Sequence, residues 1–111
     1  MNMAQDAAGA VFGALADPTR RALFSTIAAQ RAATATELAS ELPISRQAVL
    51  KHLNALADAG LLDRERAGRE VRYRVTPAPL SDAVSWMAEV GSEWDERLAA
   101  LRRQLGSSPE A

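Results

Sequence analysis

The chain has 111 residues, 48% hydrophobic and 24% charged, with a net charge of -1 and no cysteine. That length supports one domain with a modest core, in a mixture typical of folded globular chains rather than disordered ones. The absence of cysteine excludes disulfides, thiolate metal sites and thiol redox sensing together.

Ala8, Val11, Phe12 and Leu15 fall at helical spacing and predict a first helix over about residues 5–16. Asp17 followed by Pro18 marks a restart, because aspartate accepts from free amides and proline has none to leave unsatisfied at the first helical position. The second helix buries Leu23, Phe24 and Ile27. "AATAT" reads as a break, after which Thr34 or Thr36 caps a short third helix, "ELASEL", that stops at Pro43. Ser45 caps a fourth helix over residues 45–59, which buries Val49, Leu53 and Leu56 and ends at Gly60. Pro43 and Ile44 leave room only for a tight turn between these two helices, the arrangement of a helix-turn-helix.

The period then changes from 3.6 to 2. In "REVRYRV", Val71, Tyr73 and Val75 alternate with Arg72 and Arg74, and "LLDRER" pairs with this run across the "AGR" turn, where Gly68 tolerates positive φ. A two-stranded wing over residues 61–76 is expected. A long helix over residues 80–105 stops at Gly106, and residues 106–111 read as a flexible tail. The expected fold is mainly α with a small β-hairpin: a single winged helix-turn-helix domain over residues 1–111 with about five helices. Residues 33–76 hold the expected helix-turn-helix and wing, and helices 5–16 and 80–105 flank them.

Charge is partitioned along this order. Residues 45–74 carry seven basic against four acidic side chains, whereas residues 80–111 carry three basic against six acidic. The middle segment is therefore the part suited to an anionic partner. With Val49, Leu53 and Leu56 inward, helix 45–59 presents Arg46, Gln47, Leu50, Lys51 and Asn54 outward, and one helix fits a DNA major groove. Arginine pairs with guanine, glutamine with adenine, and leucine touches a thymine methyl. Ser45 at the cap and Arg66, Arg69 and Arg72 of the wing complete the expected double-stranded DNA surface, with His52 a minor member. A capped helix with a polar face is usually a solvated surface helix, and arginines on a hairpin often only keep an edge strand soluble. The order of short helix, tight turn, capped helix and basic hairpin favours DNA binding over either bland reading.

"ALADPTRRALF", "ELASELPISRQAVLKHLNALADAGLLDRERAGREVRYRVTP" and "LSDAVSWMAEVGSEWDERLAALRRQL" together resemble the ArsR/SmtB family of bacterial winged-helix transcription regulators. The specific parts are the "HL..L..AGL" core from His52 to Leu62 and the wing's Gly68, Arg69 and Tyr73. The resemblance implies a homodimeric repressor that binds operator DNA and releases it on a signal, and it places Gln47, Leu50 and Lys51 against DNA. The family commonly has serine where this chain has Leu50, which leaves an apolar contact at that position. Metal-sensing relatives carry cysteines around the third helix or histidine ligands on the last one. This chain reads Glu37-Leu38-Ala39-Ser40-Glu41-Leu42 and has no histidine after His52, so no metal and no cofactor is expected.

Leu80, Val84, Met87, Gly91, Trp94, Leu98, Leu101 and Leu105 alternate spacings of four and three, a heptad seam along the last helix. This seam, with Phe12 from the first helix, is the expected dimer interface, although part of it also suits packing on the chain's own core. Gly91 in the seam suggests close backbone approach. A small-molecule effector has a candidate place near Phe12, Trp86 or Trp94, aromatics that read more simply as core or dimer packing. The alternative function is a protein-interaction module using the acidic, heptad-bearing last helix. An enzyme is disfavoured: there is no glycine-rich phosphate loop, no cysteine nucleophile and no serine paired by motif with the one histidine. No signal-like segment begins the chain and no run of about 18 apolar residues occurs, so a cytoplasmic protein with no membrane partner is expected.

Overall fold

The computed structural model describes residues 3–105. Five helices and three short strands follow in the order α1 (Met3–Leu15), α2 (Pro18–Gln30), β1 (Ala33–Thr34), α3 (Ala35–Glu41), α4 (Arg46–Asp58), β2 (Leu62–Ala67), β3 (Glu70–Val75) and α5 (Ala78–Gln104). The expected helix stop at Gly106 and the tail 106–111 lie outside the described residues.

Each boundary has a local cause. Asp17 accepts from the Thr19 and Arg20 amides at 2.7 and 3.3 Å and starts α2. Of the two threonines open to cap α3, Thr34 does so: its hydroxyl accepts from the Glu37 amide at 3.1 Å while the Glu37 carboxylate accepts from the Thr34 amide at 2.8 Å. The Ser45 hydroxyl accepts from the Ala48 amide at 3.1 Å and starts α4. Gly60, at φ 80°, ends α4, and the Leu61 amide reaches back to the Leu56 carbonyl at 3.0 Å.

The sheet departs from expectation in having three antiparallel strands, ordered β1-β3-β2. Ala33 and Thr34 pair with Tyr73 and Arg72, so the segment read as a simple break also seals one edge of β3. A two-residue strand has no periodicity of its own to read. The hairpin partners β2 and β3 from Leu62↔Val75 to Ala67↔Glu70, around a two-residue loop whose first member, Gly68, has φ 65°.

Leu23, Ile27, Leu38, Val49, Leu53, Leu56 and Leu61 are fully buried between α2, α3, α4 and the sheet. Tyr73 is the one deeply buried member of the β3 alternation, with Val71 and Val75 half-buried around it. Phe24 is likewise half-buried at the margin of this core. Ala8, Val11 and Ala14 of α1 and Ala83 of α5 extend the core toward the chain ends. The chain is elongated: its Cα radius of gyration is 19.6 Å against about 13 Å for a compact domain of this size, with a longest extent of 67 Å. The 27 residues of α5 make a rod about 40 Å long, and its second half overhangs the body.

Candidate nucleic-acid interface

Helix α4 is held to the body by Val49, Leu53 and Leu56, all with no exposed surface. At about 100° of rotation per residue, this stripe places Gln47, Lys51 and Asn54 near the opposite pole, and all three are exposed. Arg46 and Leu50 fall on one flank, toward α3 and the wing. His52 falls on the other flank, toward α2. Leu50 is consequently half-buried against the core rather than fully outward, and lines a cleft of about 150 Å³ together with Thr36, Arg46, Arg69 and Tyr73. Arg46 is steadied there by donating from Nε to the Thr36 hydroxyl at 3.1 Å. The Nδ1 of His52 accepts from Arg20 Nε at 3.2 Å, so this histidine ties α4 to α2. The Asp17 carboxyl, one turn before Arg20, is held below its ordinary range: partial burial works to raise it, but the Thr19 and Arg20 amides and the Arg20 charge prevail.

The hairpin divides its arginines by face. Residues opposite one another in an antiparallel pair share a side, so Leu62, Arg64, Arg66, Val71, Tyr73 and Val75 lie on the side that meets the body. Asp63, Glu65, Glu70, Arg72 and Arg74 lie on the other. There Arg72 pairs with Glu70 at 3.3 Å and Arg74 with Glu65 at 3.0 Å. Arg72, expected to meet DNA, therefore faces away from Arg66 and beside a carboxylate. Arg66 and Arg69 are exposed, and neither makes an ion pair among the described residues.

Arg64 was missing from the expected surface. Its Nη2 donates to the Asn54 Oδ1 at 2.8 Å, joining the wing to the outer face of α4. The signal was present in the sequence, because Arg64 shares the period-2 face of Arg66, but the contact with Asn54 depends on how the hairpin folds back. The basic surface thus comprises Arg46, Lys51, Arg64, Arg66 and Arg69 around the amides of Gln47 and Asn54.

A second surface lies at the chain ends. Helix α1 packs along the first half of α5, where the rings of Phe12 and Trp86 are 6.2 Å apart and tilted by 54°. Leu80, placed on the seam by its spacing, is half-buried against the chain's own core. The rest of the seam is open: Phe12, Val84, Met87, Trp94, Leu98 and Leu101 are each 41 to 55% exposed, and Leu105 is 76% exposed. Nothing lies within 4 Å of a methyl built on Gly91, so the close approach suggested by that glycine is not made within one chain. The guanidinium of Arg97 sits 5.6 Å from the centre of the Trp94 ring. Among the described residues no three metal-ligating side chains converge, and no helix is long and apolar enough to cross a membrane.

The comparisons with known proteins agree on one identity. A helix-turn-helix domain profile matches residues 15–65. The transcriptional repressor SdpR of Bacillus subtilis is 31% identical over 88 residues, spanning 79% of this chain and 97% of that protein. The transcriptional repressor SmtB of Mycobacterium tuberculosis is 37% identical over 71% of this chain and 58% of its own length. Among solved structures, an ArsR-like transcriptional regulator from Rhodococcus sp. RHA1 is 40% identical with a TM-score of 0.85, covering 95% of this chain and 97% of its own. These relatives favour transcriptional control over the protein-interaction alternative, and they are not enzymes. With a capped α4, a basic wing and this close likeness in both sequence and fold, the chain belongs to the ArsR/SmtB family of winged helix-turn-helix regulators, DNA-binding proteins that control transcription.

Proposed function

We propose that this protein is a homodimeric, cytoplasmic repressor whose α4 enters the major groove of operator DNA while the wing holds the flanking backbone. The observation that carries this reading is the outer pole of α4, where Gln47, Lys51 and Asn54 stand exposed beside the same-face arginines of the hairpin. Amide groups in that position supply base discrimination, and the surrounding cations supply affinity. Arg46 and Arg69, bordering one cleft from two elements, suit a phosphate path between α4 and the wing tip. Ser45, engaged by the Ala48 amide, acts as a cap rather than a reader.

Dimerisation rests on the open seam of α5, because two copies pairing there cover apolar surface that neither buries alone. A two-fold dimer also sets two reading helices about one DNA turn apart. Phe12 and Trp86 meet between α1 and α5, so a small-molecule effector acting there would bear on this ring contact.

The test is a fluorescence anisotropy titration of the protein against the duplex upstream of its own gene and against a scrambled duplex, at low and physiological salt. The expected result is preference for the native duplex that persists at physiological salt, with affinity falling linearly on a log scale as salt rises. Salt-insensitive binding, or none to any genomic duplex in a pulldown sequenced without bias, would overturn the reading.

A further inference from the structure

We propose that Asn54 and Arg64 act as one base-reading unit that selects guanine, with Arg64 as the specificity-determining residue supplied by the wing. The inference rests on the reading of α4 as the major-groove helix. An asparagine free on a recognition helix pairs with adenine by presenting both edges of its amide, its oxygen accepting from N6 and its nitrogen donating to N7. Here the oxygen is engaged. Arg64 Nη2 donates to Asn54 Oδ1 at 2.8 Å, and because a guanidinium has no acceptor, the amide oxygen must be the group turned toward the wing. The edge of Asn54 left toward a ligand is therefore its NH₂, a pair of donors. The remaining N–H groups of Arg64 are donors as well.

The composite is rich in donors: the Asn54 oxygen keeps a second lone pair, but its bond to Arg64 holds that oxygen toward the wing. In the major groove guanine offers two acceptors, N7 and O6, whereas adenine offers one acceptor and one donor, N6. A donor-rich surface satisfies guanine and turns donors toward the adenine N6 amino group, which is then poorly partnered once the groove is dry. Both side chains are exposed, so a duplex can reach the pair without moving any buried residue. No carboxylate competes for Arg64 among the described residues: the ion pairs on the opposite face of the hairpin take up Glu65 and Glu70 instead. The wing in this arrangement supplies base discrimination in addition to backbone affinity, and α4 and the wing read as a single surface.

The experiment is selection from a randomised duplex pool by the full-length protein and by its Arg64→Ala, Asn54→Ala and Gln47→Ala variants, with folding checked by thermal unfolding. The wild type is expected to enrich guanine over adenine at one position of each half-site, on the order of tenfold. Arg64→Ala frees the Asn54 oxygen and is expected to switch that same position toward adenine, while Asn54→Ala flattens it. The proposal is overturned if Arg64→Ala weakens every sequence alike with the selected motif intact, which would make Arg64 a phosphate contact, or if the wild type already selects adenine there. Should Gln47→Ala also leave the motif unchanged, the reading of α4 as the base-reading helix fails and takes the proposal with it. A motif altered by Gln47→Ala but untouched by both other variants sinks the proposal alone.

Discussion

Trp94→Ala offers the sharpest test of how this chain completes its core. The indole is 55% exposed in one copy. A tryptophan carries up to about 250 Å² of contact surface, so roughly 130 Å² is open. The Arg97 guanidinium, 5.6 Å from the ring centre, is already counted in that exposure, and a second copy that covers half of the open area buries about 65 Å². At about 25 cal/mol per Å², covering it stabilises the dimer by roughly 1.5 kcal/mol from each protomer. The two-fold doubles this to about 3 kcal/mol, on the order of a hundredfold in the dimer dissociation constant. Sedimentation equilibrium on wild type and variant measures that constant directly. Glu89→Ala, on the opposite side of α5, is the matched control and should leave it unchanged. A shift of less than about threefold for Trp94→Ala would refute the seam as the dimer interface.

Four further outcomes are expected. Gly91→Ala should raise the helicity of α5, since nothing within 4 Å obstructs the methyl and alanine is favoured in a helix by about 1 kcal/mol, yet weaken the dimer if two backbones approach there; circular dichroism and sedimentation separate the effects. Gly60→Ala should lower the melting temperature, because the residue has φ 80° and the added methyl would stand 3.3 Å from Pro79 Cγ, costing on the order of 1–2 kcal/mol by thermal denaturation. Gln47→Ala should relax base preference by about 1–3 kcal/mol, whereas Arg69→Ala should weaken matched and scrambled duplexes alike in anisotropy titrations. The Asp17 carboxyl is held below its ordinary value of 3.8, so its charged form stabilises the fold above that pH and loses the contribution as pH falls through the folded value; wild type should melt above Asp17→Asn at neutral pH, with the gap closing below about 3.8.

How far the sequence carried these conclusions differs between elements. The helices were legible because each has both a period and a punctuation mark: Asp17-Pro18, Thr34 with Glu37, Ser45 and Gly60 all act where such residues are expected to act. Strand β1 was hidden, since two residues cannot show alternation and only the open edge of β3 calls for them. Within the candidate site, Gln47, Lys51 and Asn54 could be placed by rotation from Val49, Leu53 and Leu56 alone. Leu50 could not, because a residue about 100° from the buried stripe is outward or inward according to what folds over that flank, and here α3 and the wing do. His52 and Asn54 were readable as positions on α4. Their partners Arg20 and Arg64 were not, since separations of 32 and 10 residues are bridged only by tertiary packing.

The two surfaces of the chain are linked by the same arithmetic of charge and burial. Segment 45–74 has more basic than acidic side chains and the last helix has more acidic than basic ones, so the near-neutral sum of -1 conceals an uneven distribution. A basic face of five cations repels its copy, and pairing two such domains on one duplex requires an interface elsewhere that is apolar and remote from it. Helix α5 meets both conditions: its open seam begins at Val84, on the face left uncovered beside the contact with α1, and runs out along the overhang of a chain 67 Å long. The length of that helix exceeds what the chain's own core uses, and the proposed pairing of two seams would remove the excess apolar surface. Shortening the seam should then act on DNA affinity without touching a single DNA contact: Leu98→Ser and Leu101→Ser together should lower affinity for a two-half-site duplex far more than for a single half-site. Equal losses on the two duplexes would mean that the seam and the reading face are independent.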